Sequence, residues 1–174
     1  MAPSAIPHPV FEITFETIIP EAMSKERIDA CVAAYAAAAD RAARAGFDCV
    51  EIHAAHGYLI SQFHTPFENR RTDEYGGSLA NRMRFPLEVF DAVRAAFPSE
   101  RPVTVRVSGT DWAVGGWTIE ETVAFAEALV ARGCAAIHVS SGGLTPAQQV
   151  PAAPSYQVPL ARAVKTRVGG PVVA

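Results

Sequence analysis

The chain has 174 residues, of which 49% are hydrophobic and 19% charged, with a formal net charge of −3. That balance describes a globular domain with an ordinary core rather than a disordered chain. Basic and acidic side chains are interspersed, so no stripe invites nucleic acid, and no apolar run approaches the ~18 residues of a membrane span.

In chain order, the proline-rich start, residues 1–23, reads as a loop segment. It has no charged region followed by a long apolar one, so it does not read as a signal peptide. Cys31, Cys49 and Cys134 are odd in number and share no ligand-like spacing, which points to reduced thiols in a cytoplasmic protein. Ser24 to Ala45 is rich in helix formers, with Ser24 as its cap and Gly46 as its stop. Phe47 to His53 reads as a short strand, and about Ser61 to Gly77 as a polar loop. A helix is expected from Ser78 to Phe97, kinked or restarted at Pro86. Arg101 to Ser108 is a valine-rich strand. Thr118-Ile119-Glu120-Glu121 is a capping box opening a helix that ends near Gly133. A strand from Ala135 to Ser141, a helix from Tyr156 to Val168 and a strand from Pro171 to Ala174 complete the pattern.

Alternating strands and helices imply a parallel α/β sheet with right-handed crossovers. Strand side chains alternate between two faces. Cys49, Glu51 and His53 therefore oppose Val50 and Ile52, and Thr104, Arg106 and Ser108 oppose Val103, Val105 and Val107. Likewise Ala136, His138 and Ser140 oppose Ile137 and Val139. One apolar face and one polar face suit strands that line a (β/α) barrel better than an open sheet covered on both sides. The polar residues include His53, Arg106 and Ser140 toward the carboxyl pole, where barrel enzymes place their chemistry. Eight such units take ~250 residues, so residues 24–174 read as a partial barrel.

His53-Ala54-Ala55-His56-Gly57-Tyr58 delivers two imidazoles and a phenol to the end of one strand. Such donors suit holding a carbonyl oxygen and moving a proton. His-x-x-His also suggests a metal, but it lies at a strand end and no third ligand accompanies it, so no metal site is assigned. Arg106 has two readings, a ligand contact or a partner for Glu51. His138 reads as polar packing, and Ser140-Ser141-Gly142-Gly143 as a tight turn or an anion-binding nest. Arg70 and Arg71 face Asp73 and Glu74 in sequence and are expected to pair within their loop. Trp112 and Trp117 are expected to pack.

These motifs occur in a longer order: Ala45-Gly46-Phe47-Asp48, His53 to Leu59, Gln62-Phe63, Asn69 to Ser78, Asn81 to Phe85, Val105 to Ser108 and Val139 to Leu144. In that combination the chain resembles the old yellow enzyme family, closest to bacterial ene-reductases of the xenobiotic reductase type. The resemblance implies a TIM barrel, FMN as cofactor, NAD(P)H as reductant and an activated alkene or nitro compound as substrate. It also implies a homo-oligomer in the complete form, with no nucleic acid or membrane partner. By position, His53 and His56 match the pair that binds the substrate oxygen, with His53 also beside the flavin. Tyr58 matches the phenol that protonates the α-carbon, and Arg106 the guanidinium at the flavin pyrimidine edge. The resemblance begins near the loop after the family's third strand and stops inside its seventh, so roughly strands 4 to 7 are represented. The family's phosphate-holding loops lie outside that stretch. Two or three such contacts at ~1.5–3 kcal/mol each set FMN affinity over roughly two to six decades. The alternative expectation is thus a truncated, non-catalytic partial barrel with poor or no flavin binding.

Overall fold

The computed structural model describes residues 1–7 and 19–174. The expected loop over residues 1–23 therefore lies, at 8–18, outside the described residues. Its flanks meet in a short bridge, with the Ala2 N–H donating to the Glu21 carbonyl at 3.1 Å and the Met23 N–H to the Ala2 carbonyl at 3.0 Å.

Four strands, β1 (Val50–Ala54), β2 (Val103–Ser108), β3 (Ile137–Ser140) and β4 (Val172–Val173), form one parallel sheet in sequential order. Helix α1 (Lys25–Arg44) precedes β1. The connections carry α2 (Leu59–His64), α3 (Leu79–Ala96), α4 (Ile119–Val130) and α5 (Val158–Lys165). Among the described residues no helix is long and apolar enough to cross a membrane.

Helix ends fall where the caps placed them. The Ser24 hydroxyl accepts from the Arg27 N–H at 3.2 Å, and Thr118 and Glu121 form a reciprocal capping box. At the end of α1, Gly46 adopts φ +88°, and the Gly46 and Phe47 N–H groups donate back to Ala43 and Ala42, both at 3.1 Å. This Schellman closure uses the Phe47 N–H. The strand expected from Phe47 therefore begins only at Val50, and Phe47 is left exposed. α3 runs unbroken through Pro86, so the expected restart does not occur. The expected polar loop after Ser61 is a third departure. Its first residues are the end of α2, whose Ile60, Phe63 and His64 are buried.

Ile52, Val103, Val105, Val107, Ile137 and Val139 bury one face of the sheet against Phe85, Val89, Phe90, Phe125, Leu129 and Val164 from the helices. Each such side chain contributes about 1.5–3 kcal/mol relative to exposure. The other face is a polar row in register: Glu51 beside Thr104, His53 beside Arg106, Arg106 beside His138, and Ser108 beside Ser140. Glu51 accepts from the Thr104 hydroxyl at 3.2 Å and lies 3.4 Å from His138 Nδ1. His53, Thr104, Arg106 and His138 on this row are only partly covered, while Ser108 and Ser140 at its carboxyl end are buried.

Candidate active site

The last residues of β1 and the turn after it carry the donor set. His53 ends the polar row of its strand, directly beside Arg106. The chain then reverses through His56 at φ +60° and Gly57 at φ +76°. A left-handed conformation is uncommon for a side-chain-bearing residue and costs on the order of 1–3 kcal/mol, so contacts around it must hold it there. The His56 N–H donates to Ser108 Oγ at 3.0 Å, Gln62 Nε2 donates to the Gly57 carbonyl at 2.9 Å, and Ser61 Oγ to the Tyr58 carbonyl at 2.9 Å. Gln62 and Ser61 lie on α2, so this short helix anchors the turn.

The turn gathers the three side chains. The His53 and His56 rings lie 5.2 Å apart at 53°, and the His53 and Tyr58 rings 5.2 Å apart at 56°. Tyr58 remains 64% exposed. Behind His56 the β3–α5 loop packs so closely that a side chain at Gly143, itself at φ +88°, would sit 3.1 Å from His56 Cβ. Only glycine fits both the conformation and the gap.

Arg106 supplies the charge. Its Nε is buried and has no hydrogen-bond partner among the described residues. The reading that pairs it with Glu51 is not what the structure holds, since Glu51 is engaged by Thr104 and His138. A guanidinium with an unsatisfied buried N–H is costly unless an electron-rich group meets it. Partial burial first, and then the Arg106 charge, hold the pKa of both His53 and His56 below the ordinary imidazole value. Lowering it favours the neutral form of both rings, in which each has one N–H to donate.

The other singled-out residues divide. Trp117 packs, stacked 4.7 Å from His64, with its indole N–H donating to Thr122 at 2.6 Å. Trp112, at φ +54°, lies 6.3 Å from Tyr156 beside the site loop. Arg71 pairs with Asp73 and donates to the carbonyls of Pro3 at 2.9 Å and Met23 at 2.7 Å, tying the residues before α1 to this loop. Gly142 and Gly143 make the tight turn, and the Gly143 N–H donates to the side-chain carbonyl of Gln148 at 2.8 Å. Ser108 and Gln157 also serve the site and were not singled out in the sequence. Ser108 was readable as the end of a polar row, whereas Gln157 sits in a connection with no periodic signal.

Known proteins are similar to this chain in sequence and fold. The NADH:flavin oxidoreductase / NADH oxidase family matches residues 1–174. An NADH:flavin oxidoreductase of Gibberella zeae is 47% identical over 167 residues, 89% of this chain and 40% of its own length. An NADPH dehydrogenase of Geobacillus thermodenitrificans is 43% identical over 174 residues, 100% of this chain and 49% of its own. The chain thus spans about half the length of these curated relatives, or less. Among solved structures, morphinone reductase in complex with tetrahydroNAD superimposes with a TM-score of 0.76 at 34% identity, covering 98% of this chain and 47% of that one. A 2-naphthoyl-CoA reductase complex superimposes with a TM-score of 0.88 at 28% identity, covering 99% of this chain and 26% of that one. With its one-sided parallel sheet a partial (β/α) barrel, the chain belongs to the NADH:flavin oxidoreductase / NADH oxidase family, that of old yellow enzyme.

Proposed function

We propose that residues 24–174 form the catalytic part of an FMN-dependent NAD(P)H oxidoreductase, an ene-reductase acting on the C=C bond of α,β-unsaturated carbonyl compounds, with nitro compounds as related acceptors. The observation that carries this reading is one constellation: two imidazoles and a phenol, with the His53 ring 5.2 Å from both the His56 and Tyr58 rings, beside a guanidinium whose buried Nε lacks a partner among the described residues. The residues suit a flavin, because an unsatisfied planar donor complements the electron-rich edge of its pyrimidine ring. Arg106 and His53 would hold it on the polar row. Bound FMN supplies the hydride, and NAD(P)H replenishes it.

The side chains account for the rest. His53 and His56 donate to the substrate oxygen, where negative charge develops as the alkene is reduced, and each such donor is worth about 3 kcal/mol. Their neutrality matters, because a neutral donor stabilises that oxygen without itself ionising the substrate. Tyr58, the exposed member, delivers the proton to the α-carbon. Free Cys31, Cys49 and Cys134 suit a reducing cytoplasm, and the reading extends to a homo-oligomer for the complete form.

Titration of the purified chain with FMN, followed by anaerobic NAD(P)H oxidation with a cyclic enone, tests this. Uptake of FMN that weakens tenfold or more in Arg106→Met, with enone-dependent turnover, is expected. A chain that takes up no FMN and stays colourless overturns the reading in favour of a non-catalytic partial barrel.

A further inference from the structure

His56 makes two bonds that its companions lack. Its backbone N–H is fixed to Ser108, and its ring Nε2 lies 2.7 Å from Ser140 Oγ. Ser140 is the last residue of β3 and is 4% exposed. The amide nitrogen of Gln157 lies 3.3 Å from the same hydroxyl oxygen, 3.2 Å from Ser141 Oγ and 3.1 Å from the Tyr156 hydroxyl. Gln157 occupies the N-cap of α5, yet its side chain makes no capping bond, so its amide is available for this cluster.

Proton counting orders these groups. An amide NH2 donates and cannot accept, and a hydroxyl carries one proton. With Gln157 donating into Ser140, the Ser140 proton needs an acceptor, and among the described residues His56 Nε2 is the one in place. A neutral imidazole whose Nε2 accepts must carry its own proton on Nδ1. We propose that Gln157 and Ser140 are positioning residues that hold His56 in its Nδ1–H tautomer, leaving Nδ1–H as the donor it offers to a bound oxygen. His56 Nδ1 has no other hydrogen-bond partner among the described residues. The site would then reject a ligand with no acceptor at that point, because the N–H would be left unpaired.

The role of Nδ1–H toward substrate rests on the reductase reading, but the tautomer does not, and the two are tested apart. Long-range 1H–15N correlation on the labelled full chain reports which imidazole nitrogen is protonated, with His56 identified by its missing signals in His56→Gln. At neutral pH the wild type should show Nδ1 protonated and Nε2 in the unprotonated range. Ser140→Ala should populate both tautomers, and Ser140→Thr should restore the first. Gln157→Glu should reverse the relay: its carboxylate accepts from Ser140, whose oxygen then accepts from Nε2–H. A wild-type proton on Nε2, or a Gln157→Glu spectrum unchanged from wild type, overturns the proposal. Should a variant fail to fold, the wild-type spectrum decides alone. Enone turnover on the same samples separates the two readings: Nδ1–H without turnover sinks the reductase and keeps the relay, and Nε2–H with turnover does the reverse.

Discussion

Tyr58 and His53 share a ring contact at 5.2 Å, but Tyr58 keeps 64% of its surface open. In the proposed mechanism that asymmetry separates their roles: the half-covered imidazoles would bind the oxygen, and the phenol would reach a carbon lying outside the turn. Tyr58→Phe preserves the ring contact and removes one proton. It should leave FMN uptake unchanged and slow delivery of the α-proton by about 10²–10⁴, read as loss of solvent deuterium incorporation at that carbon. Incorporation at the wild-type rate would assign the proton to another donor. His53, His56, Tyr58 and Arg106 were legible in the sequence because a strand end and a period of two place them together. Ser140 lies 84 residues from His56, and nothing local to either shows their 2.7 Å contact. The left-handed backbone at His56 was equally hidden, since Ser108, Ser61 and Gln62 impose it from two elements.

At the level of elements, α2 was the one helix the sequence concealed. Six residues are too few to show a helical period. Its last residue, His64, is buried between Trp117 and Phe125, 4.7 and 4.4 Å away, with Nε2 unpaired among the described residues. Burial, and then the neighbouring Arg82 charge, push its pKa down to about 3 from 6.5. Below pH 6.5 the unfolded chain takes a proton that the folded chain refuses, so stability falls as pH drops toward 3, by at most about 5 kcal/mol. Glu68 acts with the opposite sign. Burial, and then Asp111, raise its pKa to about 7 from 4.5, so its contribution is present below pH 4.5 and fades as pH rises through 7. Between pH 4.5 and 6.5 the two slopes oppose each other. His64→Phe keeps the stack and removes one of them. Its urea midpoint should therefore rise relative to wild type on going from pH 7 to pH 5, and parallel profiles would refute the assignment. Arg82 makes the second prediction at this scale. It pairs with Glu121 at 2.5 Å, donates to the carbonyls of His64 and Gly77, and lies 5.7 Å over the Trp117 ring. Arg82→Met strands a carboxylate and two carbonyls, at a cost of about 3–5 kcal/mol. Chemical denaturation should show it, and a loss under 1 kcal/mol would mean the pair is solvent-shared.

Across the whole molecule, the sheet has β1 and β4 as its outer strands, and a groove along β1 is lined by Tyr35, Ala39, Val50, Ile52 and Val93. Parallel edges that are unpaired among the described residues template further pairing. The 174-residue polypeptide by itself should therefore gain apparent mass with concentration in light scattering, and a constant monomer mass would show that the edges are self-protected. Element types, their caps and the polar and apolar faces of the strands were determined by the sequence, because each depends on residues within a turn or two of one another. Tertiary structure decided α2 and its buried histidine, the gathering of the donors around His53, the Arg106 Nε left without a partner among the described residues and the route from Gln157 to His56. Those depend on register and packing between segments distant along the chain, where no local pattern carries the information.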